Sequence, residues 1–303
     1  MKFTMLPNVW SDSVADIEAQ GHLHVGLDES PDMLVFNGGP DDLPDPLPES
    51  VQAVQAAFAG IEALDQSGIL ASSGVRWANA AGVYDDTVAE SAVGLLLAVL
   101  HRHKEVTSWE VRPEVEAKTE FLFEDKTVAI IGAGGIGRRL IALLNAFGTK
   151  TIAVTRTGRE VPGADESVAF SEVNSVWPTA DYFVILAPLT TETRGMINAE
   201  VLAKMKRNAV IINVARGPLV VTEDLIAALR DGTIAGAGLD VTDPEPLHDD
   251  SPLWTMPNVV ITPHTANTAR FLHQRVGELT VRSWEALAAG ERMPTEVDVT
   301  RGY

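Results

Sequence analysis

From Lys126 to His264 the chain alternates near-continuous Val/Ile/Leu runs with amphipathic stretches, and this alternation restricts its fold more than any other feature. KTVAIIG, TIAVT, DYFVILAP, AVIINVA, AGAGLDV and NVVITP read as strands, and RRLIALLNAF and LIAALRDG as helices between them. Strands this apolar have no polar side to turn to water, so both faces need cover, and crossover helices on a parallel sheet supply it. The expected architecture is α/β, with a doubly wound parallel sheet.

A second pattern precedes it. From Met1 to about Gly82, short apolar runs (FTML, MLVFN, AVQAAF, ILASS) alternate with polar or helical stretches, as in a smaller α/β unit, with Pro40 to Pro48 as a loop. At 303 residues the chain exceeds the usual size of a single hydrophobic core, so two domains sharing a cleft are expected. Between the two patterns Thr87 and Glu90 have capping-box spacing ahead of SAVGLLLAVLHRH, a long apolar helix expected to bridge the domains and bury its girth against a second subunit. A last helix, Thr268 to about Gly290, is expected to return toward the amino-terminal domain.

Charge narrows the partners. A net charge of −19, with no block of Lys or Arg to offset it, repels nucleic acid and anionic membranes. An anionic ligand would need local cations, which draws interest to Arg156 and Arg216; the plainer reading of the acidity is a soluble surface. The absence of cysteine excludes disulfides, thiolate metal sites and a Cys nucleophile. MKFTMLPNVW lacks a signal-peptide apolar region, and the longest wholly apolar run nearby, Ala92 to Leu100, falls short of the ~20 residues a spanning helix needs. A cytoplasmic protein is expected. No metal site is expected either: His101 and His103 would diverge on a helix, and His22 and His24 have no acidic partner close in sequence.

Gly132-Ala133-Gly134-Gly135-Ile136-Gly137 follows one strand and opens a helix, the context in which a GxGxxG loop cradles a dinucleotide. Gly132 permits the tight turn, Gly134 lets backbone approach a pyrophosphate, and Gly137 allows close helix packing, with Gly135 and Ile136 at the helix amino end facing the anion. The competing reading is a glycine turn without a ligand. The fold implied is Rossmann-type. At the end of the next strand, where NAD sites carry an acid for the ribose 2′-hydroxyl, this chain has Thr155, Arg156 and Thr157, with Arg159 just beyond. A guanidinium binds a 2′-phosphate that a carboxylate would repel, so NADP(H) is the expected cofactor, with NAD(H) possible.

Three residues complete the chemistry. Arg216 follows the strand AVIINVA, Glu245 lies in the Pro-bracketed DPEP loop, and His264 follows Pro263 at the end of another strand. A guanidinium can hold a carboxylate, a carboxyl group can brace an imidazole, and an imidazole can move a proton: together they equip a site for reducing a 2-oxo acid.

In this order, VAIIGAGGIG, LAPLTTETRGMIN, INVARGPLV, AGAGLDVTDPEPL and SPLWTMPNVVITPH, with TVAES opening the linking helix, resemble the D-2-hydroxyacid dehydrogenases, in the glyoxylate/hydroxypyruvate reductase-like branch. The resemblance runs from about Ala80 to Thr265 and is faint before it. It implies a flavodoxin-like substrate domain, 1–95 with 268–303, into which a Rossmann domain, 96–267, is inserted. It implies that Arg216 binds the substrate carboxylate and polarises the 2-oxo group, Glu245 orients His264, and His264 exchanges the proton with the substrate. Asp240 would hold the nicotinamide carboxamide; Ala187, Pro188, Thr193, Val214 and Ala215 would line the cofactor. Ala59, Gly60 and Ile61, a looser match, would offer backbone amides to the substrate carboxylate. A homodimer is implied, with the Thr87 to His103 helix as the contact. Two other readings stand beside this one. One is a phosphoglycerate dehydrogenase of serine biosynthesis, less favoured because about forty residues after His264 leave no room for an added regulatory domain. The other is a non-catalytic nucleotide-sensing corepressor, which the presence of Arg216, Glu245 and His264 together argues against.

Overall fold

The computed structural model describes residues 1–298 apart from Thr107, Val111 and Glu124. The chain opens with β1 (Lys2–Leu6), α1 (Ser11–Glu18), β2 (Leu23–His24), β3 (Met33–Phe36), β4 (Ala53–Ala56), α2 (Glu62–Gln66), α3 (Ile69–Ser72), β5 (Arg76–Ala78) and α4 (Asp85–Leu100). It continues through α5 (Pro113–Glu116), β6 (Thr127–Ile131), α6 (Gly135–Ala146), β7 (Lys150–Thr155), β8 (Glu166–Ala169), β9 (Tyr182–Ile185) and α7 (Ala199–Lys204). It closes with β10 (Val210–Asn213), α8 (Thr222–Arg230), β11 (Gly236–Leu239), β12 (Val259–Ile261) and α9 (Ala269–Ala288). Two compact units result: Met1–Tyr84 with the chain from Thr268 onward, and Asp85–Asn267.

In the second unit seven strands form one sheet in the order β12-β11-β10-β9-β6-β7-β8, every pair parallel. β9, β10 and β11 are buried along their whole length, as their unbroken apolar sequences require. Their side chains meet Trp177, Leu202, Leu225 and Leu229 in one core. Strand order reverses between β6 and β9, which makes the carboxyl ends of those two strands the switch point of a doubly wound sheet. The expected strands and helices of this region all form. β8 is an addition: it pairs with β7 at the sheet edge, and its exposed Glu166 conceals it in sequence.

α4 belongs wholly to this unit, so the expected boundary between residues 95 and 96 falls inside a helix that packs on α6, β10 and β11. β11 is bare where α4 crosses it: a Cβ at Gly236 would lie 2.6 Å from Val99, and one at Gly238 would lie 3.0 Å from Leu95. The capping box does not form. The helix starts earlier, at Asp85, and Thr87 Oγ1 donates instead to Asn267 Oδ1 at 2.9 Å, leaving Glu90 exposed. It also stops at Leu100 rather than His103, because Arg102 turns into the left-handed region at φ 56°. The His101 and His103 rings therefore meet edge to face, 5.8 Å apart.

The first unit holds a five-stranded parallel sheet, β2-β1-β3-β4-β5, the flavodoxin-like order. α9 packs on α1, and a buried polar chain ties it to the sheet: Ser283 Oγ donates to Gln55 Oε1 at 2.7 Å, while Gln55 Nε2 donates to the Asn79 carbonyl at 2.7 Å. ILASS is helical, not a strand; β5 follows it, with Trp77 as its buried anchor against Phe36.

Phe183 is fully buried in β9, its ring 5.5 Å from that of Trp177. Phe183→Ala should cost about 3–5 kcal/mol, the range for truncating a buried aromatic. Chemical denaturation should show a clearly lower midpoint; an unchanged midpoint would contradict this packing.

Candidate active site

The dinucleotide loop is built at the switch point. Gly132 leaves β6 with φ 101°, and a Cβ there would stand 2.5 Å from the Ala187 nitrogen at the end of β9, so only glycine lets the two strand ends meet. The amides of Gly132 and Ala133 both donate to the Val154 carbonyl at 2.9 Å, which locks the turn to β7. Gly134 caps α6 and faces open space, with nothing within 4 Å of where a Cβ would sit. The amides of Gly135, Ile136 and Gly137 have no acceptor among the described residues. A helix amino end with unpaired amides and room above it suits a pyrophosphate.

At the end of β7, Thr155 is buried and its Oγ1 has no hydrogen-bond partner, an orphaned hydroxyl where a ribose or its phosphate would lie in this fold. Arg156, Thr157 and Arg159 are exposed, and neither arginine forms an ion pair among the described residues. These residues fit a nicotinamide dinucleotide. Ala187 and Val214 are buried at the ends of β9 and β10, with Ala215 half-buried and Pro188 exposed beside them. Thr193, expected among the cofactor contacts, turns inward: its Oγ1 donates to the Pro188 carbonyl at 2.6 Å and braces the loop after β9.

Arg216, Glu245 and His264 follow β10, β11 and β12, three neighbouring strands, at their carboxyl ends. Glu245 Oε1 and His264 Nδ1 lie 2.6 Å apart, which leaves Nε2 as the ring nitrogen able to exchange a proton with a ligand. Both side chains remain substantially open to solvent. Arg216 Nη1 donates to the Ala215 carbonyl at 2.7 Å. Behind it sits Asn213, which no motif singles out: buried in β10, its Nδ2 donates to the Arg216 carbonyl at 2.9 Å and its Oδ1 accepts from the Ala215 amide at 3.2 Å. The residue after Arg216 brings two loops together. A Cβ at Gly217 would fall 1.8 Å from the Thr242 carbonyl oxygen, so glycine alone allows the Arg216 turn to lie against the loop that carries Glu245.

Asp240, only 3% exposed, holds the His264 loop. Its Oδ1 accepts from Thr262 Oγ1 at 2.6 Å and from the Thr265 amide at 2.8 Å, its Oδ2 from the Ala266 amide at 3.0 Å, and its carbonyl from the His264 amide at 2.8 Å. His264 itself is left-handed, φ 53°, a conformation that costs a histidine of order 1 kcal/mol and is kept because the surrounding bonds dictate it. The expected carboxamide contact would fall on a carboxylate with one acceptor position left. Trp254 is 42% exposed, with Nε1 donating to the His248 carbonyl at 3.0 Å.

In the first unit, Ala59, Gly60 and Ile61 lead from β4 into α2. Their amides have no acceptor among the described residues, while Asn79 Nδ2 fixes the turn by donating to the Ala59 carbonyl at 3.1 Å.

Comparison with known proteins places this architecture. Residues 93–266 match the family model for the NAD binding domain of D-isomer specific 2-hydroxyacid dehydrogenases. An uncharacterized protein in the proB 3′ region of Corynebacterium melassecola is 54% identical, with 100% of both chains covered. A glyoxylate reductase of Thermofilum pendens is 37% identical over 74% of this chain and 68% of its own. The crystal structure of a D-isomer specific 2-hydroxyacid dehydrogenase from Xanthobacter autotrophicus, in complex with NADPH and MES, superposes with a TM-score of 0.82 at 27% identity, covering 100% of this chain and 99% of that one. With a nicotinamide-binding sheet and the reductase motifs in order along it, the chain belongs to the D-isomer specific 2-hydroxyacid dehydrogenases and is an oxidoreductase of that family.

Proposed function

We propose that this enzyme reduces a small 2-oxo acid of the glyoxylate or hydroxypyruvate type to the D-2-hydroxy acid, with NADPH as its preferred cofactor, in the cytoplasm. The observation that carries the reaction is the 2.6 Å contact between His264 Nδ1 and Glu245 Oε1 on the strand ends next to Arg216. The substrate class draws further support from the 37% identical glyoxylate reductase.

Reduced nicotinamide, when bound, supplies the hydride that becomes the hydrogen on C2 of the substrate. Everything else falls to the chain. Arg216 pairs its planar guanidinium with the substrate carboxylate and puts positive charge near the oxygen on C2. His264, as imidazolium, gives its Nε2 proton to the developing alkoxide, and in the reverse direction takes it back as general base. Glu245 accepts from Nδ1–H, which fixes the tautomer and steadies the ring while its charge changes. Thr155 and Arg156 receive the 2′-phosphate, the hydroxyl as a short-range partner and the guanidinium as a counter-charge.

A homodimer is part of the proposal. Beyond the end of α4, Val106, Trp109, Phe121 and Phe123 are exposed, and Phe121 lies 5.4 Å from the His101 ring and 5.6 Å from Phe123. Large apolar side chains left in water are what a partner subunit covers.

His264→Ala or Arg216→Ala should lower kcat/KM for glyoxylate by at least about 100-fold, as removal of a positioned acid–base or charge-stabilising group does; rates near wild type would refute the assignment. Wild-type turnover should be faster with NADPH than with NADH, and Arg156→Ala should reduce the NADPH rate selectively; NADH equal to NADPH in the wild type would refute the preference. Light scattering at micromolar concentration should give twice the chain mass, and a monomer would exclude the dimer.

A further inference from the structure

The amino end of α6 has a neighbour that the nucleotide-binding motif does not call for. Asp85, the first residue of α4, lays its carboxylate against Gly135, the first residue of α6: a Cβ on Gly135 would fall 2.2 Å from Asp85 Oδ2 and 2.8 Å from Oδ1. Any other residue at 135 would push the carboxylate away, so glycine here makes room for an acid as well as for a ligand. Asp85 is half-buried, and its carboxylate accepts no hydrogen bond from any described residue. The unpaired amides of Gly135, Ile136 and Gly137 are at the same helix end.

Its charged surroundings are few. On its own helix are Asp86, whose Oδ1 pairs with Arg139 Nε of α6 at 2.6 Å, and Glu90, exposed a turn further along. On α6 are Arg138 and Arg139. Burial pushes the Asp85 carboxyl up from its ordinary value, Arg138 pulls it down, and Asp86 adds to the rise. Asp86 has a counter-ion in direct contact, whereas Asp85 has only the helix end and the more distant Arg138.

We propose that Asp85 tunes the affinity for the dinucleotide: its carboxylate and the pyrophosphate draw on the same amino end of α6, so that binding the cofactor and protonating Asp85 go together. This rests on dinucleotide binding at the Gly132–Gly137 loop. Two anions near one helix end repel, which disfavours ionised Asp85 in the complex relative to the free protein. The sign follows from linkage. Affinity is greatest at low pH, where Asp85 is protonated in both states; it falls as pH rises through the free-protein and then the bound-state ionisation, and levels off above both. Two unit charges about 4 Å apart are worth about a fivefold change in affinity in bulk water and more where water is displaced, and roughly tenfold is expected for this solvent-open helix end. Such a residue weakens the hold on the cofactor at neutral pH and so favours its exchange after each turnover.

The test is isothermal titration of the wild type, Asp85→Asn and Asp86→Asn with NADP⁺ between about pH 5 and 8, in buffers of different ionisation enthalpy, so that proton uptake is read beside Kd. The 2′-phosphate titrates in every case and cancels between proteins. Asp85→Asn should bind roughly tenfold tighter than wild type at pH 8 and take up fewer protons, with the difference narrowing as pH falls toward 5; Asp86→Asn should keep the wild-type pH dependence. Thermal midpoints verify folding, and Asp85→Ser, smaller and uncharged, should repeat the result should Asn fold poorly. Equal or weaker binding of the uncharged variants at pH 8, or undiminished proton uptake, overturns the role of Asp85 while leaving dinucleotide binding intact. No binding by the wild type would instead refute the cofactor reading, and this inference with it.

Discussion

Parallel pairing in the seven-stranded sheet is the constraint from which the rest of the second unit follows. Parallel neighbours cannot be joined by tight turns, so each strand reaches the next by a crossover, and all seven carboxyl ends fall on one edge. The Gly132 loop, Ala187, Arg216, Glu245 and His264 lie on that edge because each sits in the loop that leaves the carboxyl end of a strand. The sheet also explains why the loops can be irregular. With the strands buried on both faces and carrying the core, the loops after them are free to hold a left-handed histidine and glycines in close contact.

Within that edge, backbone positions are set by a few buried polar groups. Asp240 gathers the Thr262 hydroxyl and the amides of Thr265 and Ala266 on one carboxylate, and Asn213 does the same for the Arg216 turn from the neighbouring strand. Both residues point their side chains out of strand ends into loops, where a buried polar atom must find partners or cost stability. The exposed groups proposed to do the chemistry are thus held in place by buried ones. Thr193 works in the same way on the loop after β9.

Much of this was legible from the residues alone. The strands of the second sheet announce themselves because burial on both faces leaves unbroken apolar runs, and the Gly132–Gly137 loop is readable because its glycines serve sterics that no other residue can meet. The trio was legible as residue types at strand ends. What escaped was short or depended on distant neighbours. β2 has two residues, β5 three, and β8 an exposed polar start, too little for periodicity to register. The Thr87–Glu90 spacing is a sound capping pattern, but the helix begins two residues earlier and Thr87 is taken by Asn267, 180 residues on. Nothing local foretells φ 53° at His264 or the convergence of donors on Asp240, since both follow from how β11 and β12 end side by side.

Central to the proposed chemistry is one step, in which the Glu245-braced His264 would move the proton that accompanies hydride transfer. The pH dependence of kcat/KM measured in both directions, glyoxylate reduction and glycolate oxidation, tests it most directly. A histidine that must be protonated to reduce and neutral to oxidise predicts opposite profiles, reduction falling and oxidation rising with pH, and both dependences lost in His264→Gln. Profiles that run the same way in both directions, or that survive the substitution, would contradict it.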